Sequence, residues 1–206
     1  MAEEIVEIKK EDWKTAQAGE ILYWQAKLAK DGEPHKRLRY FNIIKPHIGD
    51  TSRMIVADIG AGPKGLLNML PYRIGIAIDP LMNLYAEAGY DLGVERFSAI
   101  TGSGENIPLS DNYADRVCSV NALDHAQDAT KMFCEMVRVC KPDGLVCIIV
   151  DFRLPGKRTP THQMCLSENF FTEMEQETGV TFIVKQHVQK CSGTAESGFL
   201  GVWRKS

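Results

Sequence analysis

Beyond residue 53 the chain alternates short apolar runs with helical stretches. The runs at 54–57, 74–78, 97–100, 117–120 and 145–150 lack polar alternation, which predicts strands covered on both faces of a parallel sheet. Helical spacing is expected over 65–70, 81–88, 129–140 and 168–178, the last introduced by Ser167 as N-cap. This β-α-β-α order predicts a doubly wound α/β fold with a mostly parallel, Rossmann-like sheet.

The two ends depart from that rhythm. Ala16, Ile21, Trp24 and Leu28 recur at helical spacing over 13–28, and a second helix is expected over 35–44, stopped by Lys45-Pro46. These helices form an N-terminal cap, residues 1–50, ahead of an α/β core, residues 51–206, within one domain. At the other end, runs at 181–188 and 199–204 are joined by the Gly- and Ser-containing turn 191–198. That turn is too short for a crossover helix, so the C-terminal strand should be antiparallel.

Composition narrows the classes. A 206-residue chain with 44% hydrophobic and 25% charged residues suits one globular domain with a sizeable core. A net charge of -3 gives no global basic field to draw it onto nucleic acid. Six cysteines without C-x-x-C spacing, and five histidines without an H-x-x-x-H cluster, predict neither a zinc nor another metal site, and the cysteines read as buried hydrophobes in a reducing compartment. Glu3, Glu4 and Glu7 near the N-terminus are unlike a signal peptide, and no apolar run approaches the roughly 20 residues that cross a bilayer. A cytoplasmic protein without a membrane partner is expected; no motif bears on oligomeric state.

The strongest motif is the strand and turn from Val56 through Asp58, Ile59, Gly60, Ala61, Gly62, Pro63 and Lys64 to Gly65. Glycines permit a tight turn and close approach of a ligand to bare backbone. The next strand ends in Asp79, where an acid can bind both hydroxyls of a ribose. Adenosine binding follows. Gly60-x-Gly62-x-x-Gly65 with Asp79 also fits a dinucleotide fingerprint, so an NAD(P)-dependent oxidoreductase is an alternative. Asp58 at the strand end and Pro63-Lys64 at the helix start count against it.

At Asp58-Ile59-Gly60-Ala61-Gly62-Pro63 the sequence resembles motif I of class I S-adenosylmethionine-dependent methyltransferases. Ile76 to Pro80 resembles the acidic motif of the second strand, and Gly102 to Leu109 the loop beside adenine. Asp115-Arg116-Val117 resembles the start of the fourth strand, and Arg138 to Gly144 the turn into the fifth. The subgroup most resembled is the methyltransferase type 11 domain, over residues 53–184. The resemblance implies S-adenosylmethionine as cofactor and S-adenosylhomocysteine as product. It places Gly60, Ala61 and Gly62 against the methionine part, with Asp58 meeting the ammonium through water or loop backbone. Asp79 would hold the ribose, and Pro80 and Leu81 would flank the adenine. Ser103 stands where the family commonly has an Asp toward the adenine amino group, leaving Gly104 N–H and the Glu105 carboxylate to read that edge. Asn121 matches a position whose carbonyl faces the cofactor amine.

Methyl transfer from a sulfonium relies on the cofactor for reactivity, so the protein mainly positions the acceptor and assists proton loss. His125, placed by the resemblance at the C-terminal end of the fourth strand, is the candidate catalytic base. Asp124 is expected to face solvent or to cap the following helix. His162 lies in the loop after the fifth strand, where a surface histidine is the plainer reading. Tyr23-Trp24 serve as packing residues or as lid aromatics. Arg153, Lys157 and Arg158 form either a solvated loop or a patch for an acidic acceptor. The function expected is methyl transfer to a small molecule or glycan precursor; the alternative outside catalysis is a cofactor-binding module.

Overall fold

In a computed structural model the structure describes residues 5–31, 35–190 and 195–206. Strands form where the apolar runs lie: β1 (Ile55–Ile59), β2 (Ile74–Asp79), β3 (Ser98–Thr101), β4 (Ala114–Val120) and β5 (Cys140–Phe152). They pair in parallel, and β6 (Thr181–Val188) and β7 (Ser197–Arg204) complete a seven-stranded sheet of order β3-β2-β1-β4-β5-β7-β6. The strand β7 runs antiparallel to both β5 and β6, the arrangement that a short final connection requires.

Both faces of the sheet are buried, which is why the runs lack polar alternation. Ala57, Ile59, Val117, Val146 and Ile148 face α4 (Ala129–Val139) and α5 (Glu168–Thr178), through Phe133, Phe170 and Phe171. Their chain neighbours Val56, Cys118, Cys147 and Ile149 pack on the opposite side with Ile44 and Ile48 of α2 (His35–Ile48). Side chains thus alternate with the period of two expected of strands. Asp128 caps α4 by accepting from Lys131 N at 2.9 Å, and Ser167 caps α5 as its sequence predicts.

Four expectations change. α2 continues through Pro46 to Ile48, because burial of Ile44 and Ile48 on the sheet outweighs a proline near the helix end, where few following bonds are at stake. The segment 65–70 forms only a 3-10 turn, Leu66–Asn68. β5 extends well beyond 145–150 at both ends. α1 (Lys10–Asp31) outruns its apolar pattern at both ends. The described cysteines carry free thiols; Cys191, its part of the final turn and the side chain of His35 lie outside the described residues. No helix among the described residues is long and apolar enough to cross a membrane.

Candidate functional site

β1 has β2 on one side and β4 on the other. The order therefore reverses between β1 and β4, and a crevice opens beyond their carboxyl ends, as open α/β sheets favour. It encloses about 520 Å³, within the range of small-molecule sites. Its floor is the turn after β1, one wall is the end of β2 with α3 (Met82–Glu87), and α1 crosses the mouth.

Gly60 and Gly62 adopt φ of +69° and +59°, a left-handed conformation that side chains disfavour. Gly60 N and Ala61 N donate to Ile78 O at 2.8 and 3.2 Å, tying the turn to β2. A Cβ on Gly60 would lie 2.3 Å from the Cβ of Ala122, so the bareness expected to serve a ligand also serves packing against the loop after β4. Asp58 is buried, and its Oδ2 accepts from Leu66 N at 2.6 Å. The buried Asp79 carboxylate receives Gly62 N on Oδ2 and Leu81 N on Oδ1, each at 2.9 Å.

Pro80 and Leu81 line the crevice beside Asp79, and Leu81 packs with Tyr85 and Tyr90. Trp24 of α1 closes on the same group: its ring lies edge-on to Tyr85 and Tyr90 at 6.4 and 6.2 Å, and Tyr90 Oη donates to Trp24 O. Gly104 and Glu105 also line it, whereas Ser103 stands outside the lining, its carbonyl accepting from Asn106 N. Glu105 Oε1 accepts from Gln127 N at 2.6 Å and bridges to the loop before α4. Asn121, at φ +55°, ends β4; its N donates to Ile149 O and its buried Oδ1 has no hydrogen-bond partner among the described residues.

His125 ends a 3-10 turn, Leu123–His125, and its carbonyl accepts from Trp13 Nε1 at 3.1 Å. Its Nδ1 lies 3.9 Å from Glu20 Oε2 of α1. The ring of His162 packs on it with centroids 4.2 Å apart. Both histidines line the crevice. Burial, followed by the positive field of His125, drives the His162 imidazole down to about 4, so this ring is a half-buried neutral group and not the surface histidine expected.

Two other expectations are corrected. Asp124 is buried and pairs with Arg153, while Asp151 lies 3.5 Å from the same guanidinium. Burial works against ionisation of Asp124, but the positive charge around it prevails and its carboxyl titrates below the ordinary range. Solvent exposure and capping of α4 are thereby excluded; Asp128 takes the cap. The basic cluster is also dispersed, because Arg153 is spent on this buried pair, Lys157 reaches Glu196, and Arg158 Nε donates to Pro155 O. Trp13, Gln17, Glu20 and Tyr40 line the crevice without a sequence signal.

The strand order, with the glycine turn and the buried acid after β2 at its switch point, defines a Rossmann-like α/β fold. Residues 57–148, a little under half of the chain, match the family model described as a methyltransferase domain. The fold is similar to that of a SAM dependent methyltransferase from Aquifex aeolicus, at 21% identity and TM-score 0.65 over 88% of this chain and 98% of that one. It is similar to Burkholderia thailandensis 1,6-didemethyltoxoflavin-N1-methyltransferase, solved with 1,6-didemethyltoxoflavin and S-adenosylhomocysteine, at 14% identity and TM-score 0.68 over 100% and 94% of the two chains. It also matches the [4+2]-cyclase SpnF, at 13% identity and TM-score 0.74 over 100% and 99%. Identities this low speak for the fold alone. Comparison with curated proteins gives no match.

Proposed function

We propose that this protein transfers the methyl group of S-adenosylmethionine to a small-molecule acceptor. The observation that carries this reading is the buried carboxylate of Asp79 set against the Gly60–Ala61–Gly62 turn at the switch point of the sheet. The residues fit the cofactor. The two oxygens of Asp79 accept Gly62 N and Leu81 N, which turns the carboxylate toward the glycine turn, and a carboxylate is the group suited to hold both hydroxyls of a ribose. Pro80, Leu81, Tyr85 and Tyr90 offer an apolar wall for adenine beside Gly104, and the turn backbone offers N–H groups to the amino-acid end. Asn121 lines the crevice, and its backbone carbonyl supplies an acceptor for an ammonium group. Asp58 acts through the turn that it braces at Leu66 N, and Glu105 through the loop at Gln127. Ser103 has no role in this placement.

S-adenosylmethionine supplies an electrophilic methyl group on a sulfonium, so the chain's own residues need to seat the acceptor, exclude water and ease proton loss. Residues 1–50 serve as a cap over the core, residues 51–206, with Trp24 and Glu20 of α1 closing the mouth. His125, which lines the crevice with His162 packed on its ring, is the group on which proton loss from the acceptor depends. Incubation with methyl-labelled cofactor and pools of small metabolites tests this reading. Label transferred to a small molecule with release of S-adenosylhomocysteine is the expected result; failure to bind either form of the cofactor would overturn it. Tight cofactor binding without transfer to any pool would favour a non-methylating module, a reading that the fold shared with a cyclase keeps relevant.

A further inference from the structure

We infer that Asp124, His125 and His162 form a binding site for one divalent first-row transition-metal ion at the border of the crevice. The three come from two loops that follow adjacent strands, β4 and β5. One carboxylate oxygen and one nitrogen of each ring lie within 4.8 Å of one another. Tetrahedral donors each about 2.1 Å from a common ion are about 3.4 Å apart, so side-chain movements on the order of an ångström would complete the set. Two imidazoles and one carboxylate are a donor set suited to such ions, and they leave coordination positions open.

Three further observations favour a cation here. Asp124 and Asp151 bring two carboxylates to the single guanidinium of Arg153, and all three side chains are buried. Their formal charges sum to one negative, a balance that a nearby cation would complement. Asp124 Oδ1 is buried and has no hydrogen-bond partner among the described residues, although Oδ2 meets Arg153. Two of the ligands are also held from outside, the usual pattern around a metal. His162 Nδ1 lies 3.0 Å from the hydroxyls of Thr159 and Thr161, and Arg153 pairs with Asp124, while Glu20 Oε2 is 3.9 Å from His125 Nδ1. Nε2 of each ring has no hydrogen bond among the described residues, and both rings border the crevice, which gives an ion a way in.

The ion would take an acceptor bearing a hydroxyl, carboxylate or amine, and this placement rests on the cofactor position proposed above. Metal binding itself stands apart from it. Tag-free protein stripped with a chelator should bind one Zn²⁺ per chain in calorimetry. Co²⁺ in its place should give visible bands of nitrogen and oxygen ligation without thiolate charge transfer, which separates this site from the cysteines. His125→Ala and His162→Ala should each weaken Zn²⁺ by more than about a hundredfold, beyond what loss of an outer partner costs, with S-adenosylhomocysteine affinity within about threefold of the parent. No stoichiometric ion in the parent, a thiolate spectrum, or parent-like binding by the folded double variant would overturn the site. Titration of S-adenosylhomocysteine into the same samples tests the cofactor reading separately.

Discussion

Asp79 both shapes the glycine turn, through Gly62 N, and lines the crevice. Asp79→Ala should therefore weaken S-adenosylhomocysteine by roughly 2–4 kcal/mol, the loss of charge-assisted hydrogen bonds to a diol plus some disorder of the turn. Calorimetry of the folded variant checks this, and unchanged affinity would remove the ribose assignment. The position of Asp79 was legible because an acid after the second strand has a fixed place in this topology. Gly60 was legible too, but its packing against Ala122 was not, since that neighbour comes from β4, far along the chain. The same limit hid Asp124 and His162: their surroundings depend on Arg153 and on a loop after β5, pairings that periodicity does not encode.

Among the elements, α4 does more than cover the sheet. Arg138 in its last turn donates to Leu109 O and Ile107 O at 2.9 Å, and Glu135 accepts from Arg138 and from Ile107 N. The pair thus clamps the loop that carries Gly104 and Glu105. The hydrogen bond from Arg138 is the main reason that the Glu135 carboxyl titrates below 4.5. A depressed carboxylate stabilises the fold above its unfolded pKa, and that contribution is lost as pH falls through the folded pKa. Glu135→Gln should therefore lower Tm most near neutral pH, with the gap to the parent narrowing as pH drops below 4.5. A constant gap across thermal melts in that range would contradict the clamp. A second tie comes from the segment ahead of α1, where Ile5 bridges to Cys165 and Ile8 N donates to Gln127 O. The sequence pattern showed α1 as a helix but not this strap, because single backbone bridges leave no periodic trace.

For the molecule as a whole, the mostly parallel sheet and the antiparallel β7 were legible from run lengths and from the short final connection, whereas the strand order was not. The crevice itself was only half legible. Its floor follows from local motif spacing, whereas its roof is assembled by Trp13, Glu20 and Trp24 of α1 meeting Tyr85, Tyr90 and His125. That closure is a tertiary fact. The central claim is that the floor and roof together select a methionine-linked adenosine, and calorimetric titration of the parent protein with S-adenosylhomocysteine and with NAD tests it most directly. Saturable one-to-one binding of S-adenosylhomocysteine, tighter than NAD by at least about a hundredfold or 2.7 kcal/mol, is the predicted result. Comparable affinity for NAD, or no binding of S-adenosylhomocysteine, would contradict it.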